Sequence, residues 1–312
     1  MKSLTRSASI GALGAFAAAP RLVRAQALES LRIALVPVEN AAQVYYARDL
    51  GSFAKAGLDV DVQPLSNGGA IASAVIAGSV DIGFATVVPI AVAHSKGLPL
   101  VFVSAGYASS DKKPTSALLV APGSPIQRGS DLNGKLVGTN GLATINEYVP
   151  RAWVDANGGD ATTMRFAELP FSAMPSALAA GRVDAVYIAE PYASEAKEHA
   201  RVLFYGTAVI KDGGLLGGWF TTSTWARANA GLVRRFDGVM RQTAEWANAN
   251  PRRSADILVR ELKIDPAVAA TINRATFAET LSPDRMQQSV DLAARYAGFH
   301  SFPASELIAS GS

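Results

Sequence analysis

Ala77-Gly78-Ser79-Val80-Asp81 and, further along the chain, Ala180-Gly181-Arg182-Val183-Asp184 carry the reading that decides the fold. Each follows a short stretch with helical character, Ala70 to Ile76 in one case and Pro175 to Ala179 in the other. Each then leads into an apolar strand and a helix near a proline, Pro89 or Pro191. The physical reading is the same both times: Gly ends a helix in a left-handed turn, Val re-enters a sheet, and Asp holds the turn. Matched residues in matched contexts predict two similar α/β lobes.

Working outward, strands and helices alternate around the first echo. Leu31 to Val36 and Leu58 to Val62 read as strands on either side of a helical stretch from Ala41 to Ala56. Ser66-Asn67-Gly68-Gly69 opens a helix, Val80 to Ala85 is a strand, Pro89 to Lys96 a helix and Leu100 to Ala105 a strand. The same grammar restarts at Ser116 to Val120 and runs through strands at Leu136 to Gly138, Met164 to Ala167 and Val183 to Ile188. Helices separate these at Asn146 to Asn157 and Met174 to Ala180; from Ala228 onward the chain reads as mostly helical. Alternation of this kind predicts mostly parallel sheets with crossover helices.

The N-terminal segment stands apart. Lys2 and Arg6, an uncharged Ala/Gly-rich run from Ala8 to Ala19, and the small-x-small site Ala25-Gln26-Ala27 together predict an export signal at residues 1–27. The apolar run is shorter than the roughly 20 residues a transmembrane helix needs. Four of the 29 basic residues and none of the 26 acidic ones lie in this segment, so its removal leaves no basic excess and no basic stripe for nucleic acid. With no cysteine anywhere, neither a disulfide framework nor a lipid-anchored N-terminal Cys is available, and the expected product is a freely soluble periplasmic protein. A chain of this length predicts two lobes.

Tyr46-Ala47-Arg48-Asp49-Leu50-Gly51-Ser52-Phe53-Ala54-Lys55-Ala56-Gly57-Leu58-Asp59-Val60 resembles the A-x-x-x-G-x-F-x-x-x-G-L-x-V stretch of the nitrate/sulfonate/taurine-type substrate-binding proteins of ABC importers, a group related to the thiamine-pyrimidine-synthesis proteins. The two echoed pentapeptides, Asp131-Leu132-Asn133-Gly134-Lys135 and Glu190-Pro191 fit the same pattern in order. The resemblance implies an α/β, type II periplasmic-binding-protein fold whose two lobes are joined by two hinge crossovers. Lobe one would hold residues 28–110 plus 218–312, and lobe two 111–217. Crossover candidates are Ser109-Ser110-Asp111 and Asp212-Gly213-Gly214. It further implies a monomer that captures a small molecule and delivers it to a membrane permease and its ATPase.

Ligands of open α/β sheets sit beyond the carboxyl ends of strands, where helix starts offer unpaired N–H groups and partial positive charge. Ser66, Asn67, Gly68 and Gly69 form one such start, readable as a polar-group cradle or as an ordinary cap. Thr86 and Val87 precede the helix at Pro89. Thr139, Asn140, Gly141 and Thr144 form the favoured anion-binding candidate in lobe two. Glu39 and Asn40 follow the first strand and border the expected cleft; Glu39 reads as an acceptor for an amine or as a solvated loop carboxylate. Glu190 reads as a ligand acceptor or as the cap of the following helix. Phe171, Tyr187, Trp219 and Phe220 are candidate walls for a planar ligand, with core packing as the ordinary alternative.

Chemistry has little support. His94, His199 and His300 lack ligand-spaced companions, and neither a Gly-x-Ser-x-Gly elbow nor a phosphate-binding Gly-Lys-Ser/Thr loop occurs. The expectation is a non-enzyme with no cofactor and no metal, favouring a sulfonate, carboxylate or similar anion. The alternatives are a ligand-binding sensory accessory or a periplasmic enzyme acting on a pyrimidine-like or organic-acid substrate. The Cys-rich iron motif that the resemblance associates with pyrimidine synthesis is absent.

Overall fold

The computed structural model describes residues 27–309; the expected signal segment therefore lies almost wholly outside the described residues. Eleven strands form two sheets. The first group is β1 (Glu29–Leu35), β2 (Leu58–Pro64), β3 (Ile82–Thr86), β4 (Leu100–Ala108), and the second is β5 (Ser116–Val120), β6 (Leu136–Thr139), β7 (Arg165–Glu168), β8 (Ala185–Ala189) and β9 (Arg201–Tyr205). β10 (Leu215–Thr222) and the short β11 (Thr276–Phe277) then return to the first. Helices are α1 (Gln43–Asp49), α2 (Ser52–Lys55), α3 (Gly68–Ile76), α4 (Val87–Ser95), α5 (Ile145–Ala156), α6 (Met174–Ala179) and α7 (Tyr192–Lys197). The C-terminal set is α8 (Ser223–Ala228), α9 (Ala230–Ala249), α10 (Pro251–Leu262), α11 (Pro266–Thr271) and α12 (Pro283–Ala297). None is long and apolar enough to cross a membrane.

The larger sheet has the order β11-β4-β10-β3-β1-β2 and the smaller one β7-β6-β8-β5-β9. Both are mixed, which corrects the expectation of mostly parallel sheets. Only β1 with β2 and β3, and β6 with β7 and β8, pair in parallel; every ladder made by β4, β5, β9, β10 or β11 is antiparallel. The reversal follows from the path of the chain. It leaves the larger sheet through β4 and comes back through β10, so the two run oppositely side by side. β10 carries little strand signal because of Gly217-Gly218. Those glycines are what let it fit: a Cβ on Gly217 would lie 2.8 Å from the Ala85 carbonyl oxygen and one on Gly218 2.6 Å from that of Ser104. The expected division at 217/218 falls inside this strand.

Both echoed turns fold alike. Gly78 and Gly181 take φ of +70° and +65°, and the following residues close the helix ends through Ser79 N–H to Ala74 and Arg182 N–H to Ala177, each at 2.9 Å. The expected single helix at 41–56 is instead two, divided at Gly51, whose φ is +65°. The two connections between the sheets lie side by side and bond to each other. Ser109 N–H donates to the Gly214 carbonyl at 2.8 Å, Gly213 N–H to that of Ser109 at 2.9 Å, and Asp111 N–H to Asp212 Oδ1 at 2.9 Å. Opposite them, α12 of the larger half reaches α5 of the smaller, where Arg295 and the Tyr296 hydroxyl both donate to Asp155 Oδ2, at 2.9 and 2.8 Å.

Candidate functional site

A cavity lies between the two halves, enclosing about 850 Å³ of empty space with its open mouth included. The larger half supplies Asn40 from the turn after β1, Gly68 from α3, Phe84 and Thr86 from β3, and Tyr107 from β4. The smaller half supplies Asn140 after β6, Thr144 and Asn146 at the start of α5, Phe171 before α6 and Tyr187 on β8. Seven residues singled out from sequence therefore meet here: Asn40, Gly68, Thr86, Asn140, Thr144, Phe171 and Tyr187. The walls are aromatic and aliphatic, the polar groups are hydroxyls and amides, and no Asp, Glu, Lys, Arg or His lines the space.

Three helices aim their N-termini at this cavity, and they differ in how far their first-turn donors are taken. Asn67 accepts from Ala70 N–H at 2.9 Å and caps α3. Thr144 caps α5 through Asn146 N–H. The rest of that loop is also occupied: Leu142 N–H donates to Glu168 and Ala143 N–H to Glu147, each at 2.8 Å, and the Thr139 and Thr144 hydroxyls both donate to the Gly141 carbonyl. At α4 the Thr86 side chain makes no capping bond. The loop expected to be the main anion cradle is thus tied up by its own neighbours, while the α4 start has no side-chain cap; its first-turn donors are the N–H groups of Val87 and Val88 alone, because Pro89 in the third position has none.

Several expected residues are placed elsewhere. Thr139 is buried beside its loop, and Val87 is the buried first residue of α4. Gly69 lies within α3. Asn67 and Gly141 face each other where the halves approach: a Cβ on Gly141 would lie 3.3 Å from that of Asn67. Ser66 borders a neighbouring chamber that shares Val36 and Phe171 with the main cavity. Trp219 and Phe220 are core residues instead of walls; Trp219 is fully buried and its indole N–H donates to Gln43 Oε1 at 3.0 Å.

Neither carboxylate faces the space. Glu39 Oε1 accepts from Arg274 Nε and from Ala275 N–H, both at 2.9 Å, and Oε2 accepts from the Tyr46 hydroxyl at 3.1 Å. Burial pushes this carboxyl up, against the pull of Arg274. Glu190 accepts from Ser194 N–H at 2.9 Å and its hydroxyl at 3.0 Å, with Lys197 Nζ 3.6 Å away. Burial raises its pKa too, with Lys197 opposing. Both are buried with protein partners that satisfy their oxygens. Their main-chain groups do link the halves, through Glu39 N–H to the Glu190 carbonyl at 3.1 Å.

Phe84 and Tyr107 were missed as walls, and so were the hydroxyls of Ser109, Thr115 and Ser116. The crossover composition of Ser109-Ser110 held the available signal, since a connection between the two halves borders the space between them. Tyr187 is fixed by a 2.8 Å bond between its hydroxyl and that of Ser116, and burial raises the pKa of both Tyr187 and Tyr107.

A family profile described as NMT1/THI5 like matches residues 38–254, and the chain belongs to that family. The formylaminopyrimidine-binding protein of Halalkalibacterium halodurans is 29% identical over 163 residues, 52% of this chain and 48% of that protein, so the match spans about half the relative's length. Among solved structures, the periplasmic aliphatic sulphonate binding protein SsuA from Escherichia coli has a TM-score of 0.72 at 20% identity, covering 90% of this chain and 97% of that one. The periplasmic nitrate-binding protein NrtA from Synechocystis PCC 6803 has a TM-score of 0.72 at 13% identity, covering 89% and 83%. The two-lobe periplasmic-binding fold expected from the sequence is the fold of this chain.

Proposed function

We propose that the protein is a periplasmic solute-binding protein that closes its two halves around a small organic ligand and presents it to an ABC permease and its ATPase. The observation that carries this is the cavity itself, lined from both halves by amides, hydroxyls and rings. A bridging ligand gains contacts from both sides only when they close, so it shifts the population towards the closed form. The α4 start, where no side chain caps the Val87 and Val88 N–H groups and Pro89 has none, favours an anionic group such as a sulfonate or carboxylate through its positive end. Binding of sulphonate and of nitrate by the fold relatives agrees with that chemistry. Binding without turnover is part of this reading, supported by the transporter-component relatives of the fold. The halves pivot at 109–111 and 212–214, and the protein works as a monomer after loss of residues 1–27.

The test is a thermal-shift screen of alkanesulfonates, aromatic acids and pyrimidines on the processed chain, followed by small-angle scattering with each hit. A hit should raise the melting temperature and reduce the radius of gyration. Hits that leave the radius unchanged, or are converted to another compound, exclude a closing carrier.

A further inference from the structure

Asn40 is the residue of the cavity whose chemistry is unfinished. It sits in the 3-10 turn Glu39–Ala41 directly after β1, is 6% exposed, and lines the space beside Tyr107. Its amide stands near enough to the Tyr107 hydroxyl to oppose, as a donor, the upward push of burial on that phenol. Its other end has no such partner: among the described residues, Asn40 Oδ1 is the one buried side-chain polar atom without a hydrogen bond. A buried acceptor of this kind strongly favours a guest that donates to it, because a guest lacking the donor leaves it desolvated and unpaired.

Two further features limit what that guest is. Thr86 and Pro89, at the uncapped start of the nine-residue helix α4, lie in the same half and line the same cavity; the Thr86 hydroxyl and the positive end of that helix favour an anionic end there, with Val87 and Val88 supplying the first-turn N–H groups since Pro89 has none. No carboxylate lines the cavity, so an ammonium would enter with no counter-charge and would lose its hydration. The donor reaching Asn40 is therefore neutral. Phe84, Tyr107, Phe171 and Tyr187 supply flat apolar walls, which suit an aromatic ring between the two polar ends.

Resting on the solute-binding reading, we propose that Asn40 selects an aromatic acid bearing a separate, neutral O–H or N–H donor, and discriminates against zwitterionic amines and donor-free acids of the same size. Both polar ends engage the larger half, and the smaller half closes over the ring.

Calorimetry on the processed chain tests this with 3- and 4-hydroxybenzoate against 3- and 4-fluorobenzoate, which match them in size and lack the donor, with taurine and an alkanesulfonate alongside. At least one hydroxy acid should bind about tenfold or more tighter than its fluoro partner, and taurine should bind more weakly than either. Asn40→Leu should shrink that preference to less than about threefold while fluorobenzoate binding persists. Asn40→Asp, which keeps an acceptor in place, should preserve it; circular dichroism confirms that each variant is folded. Equal binding of both members of each pair, or a preference indifferent to Asn40→Leu, overturns the inference. Binding of the alkanesulfonate with none of the aromatic acids overturns it and leaves the carrier reading standing; binding of nothing removes both.

Discussion

The two echoed segments build the same turn and then diverge. In the larger half, Asp81 N–H donates to the Arg32 carbonyl while the Asp81 carboxylate accepts from Arg32 N–H and also takes its guanidinium, at 3.0 and 2.7 Å. In the smaller half, Asp184 makes the same exchange with Leu136, but its cation, Lys135, stands off at 3.8 Å. Beyond the strands the difference grows. β3 delivers Thr86 to a helix start left open to the cavity, whereas β8 delivers Glu190, which folds back and caps α7 itself. One scaffold thus makes one open and one sealed helix start. Duplicated architecture fixes where a binding site can form, and one side chain at the strand end decides whether it does.

The sealed start offers the largest effect. Glu190→Ala strips acceptors from Ser194 and the partner from Lys197, and should lower unfolding free energy by about 2 kcal/mol in urea melts while ligand affinity stays within twofold. A large affinity loss with intact stability would instead make it a ligand group and erase the contrast. Next, Asp81→Ala should cost about 2 kcal/mol and Asp184→Ala about 1, since only the former ends a bidentate charged contact. At the open start, Thr86→Val should leave stability within about 0.5 kcal/mol yet weaken an anionic ligand about fivefold by calorimetry.

The smallest effect concerns the clasp between α5 and α12. Burial tends to raise the Asp155 pKa, but the Ala161 N–H, Tyr296 and Arg295 outweigh it and hold the carboxyl below its usual range. The part of that depression owed to Arg295 and Tyr296, which reach across from the larger half, favours the apposed halves above the ordinary carboxyl pKa, about 3.9, and that contribution fades as pH falls through the lower value. Affinity should therefore drop modestly below about pH 4, and Asp155→Asn should flatten the drop. An unchanged profile in that variant would show that the clasp does not couple to binding.

How much of this was legible follows from range. The turns were readable because Gly78 and Gly181 need positive φ and each Asp bonds its own neighbourhood, all encoded within a few residues. The direction of β10 was not, because its pairing depends on a chain that has visited the other half first. The fate of Glu39 was equally hidden: Arg274 lies 235 residues away, and no local pattern announces such a partner. Helix starts near the cavity could be listed from Asn67, Thr86 and Thr144. Which of them stayed open was only partly readable. At α4 one reason was in the sequence, since Pro89 in the third position offers no N–H for Thr86 to cap; at α5 the partners Glu147 and Glu168 took loop donors that local spacing did not announce.

The paired connections between the halves bear on how the protein tolerates damage. Because Ser109, Asp111, Asp212, Gly213 and Gly214 lace the two passages into one narrow ribbon, torsion in either is shared by both, and sliding sideways would break the lacing before bending does. Motion about the proposed hinge would thereby follow a single swing axis. A chain nicked in one passage keeps its halves aligned through the other, so new termini placed there by circular permutation should still yield a folded molecule.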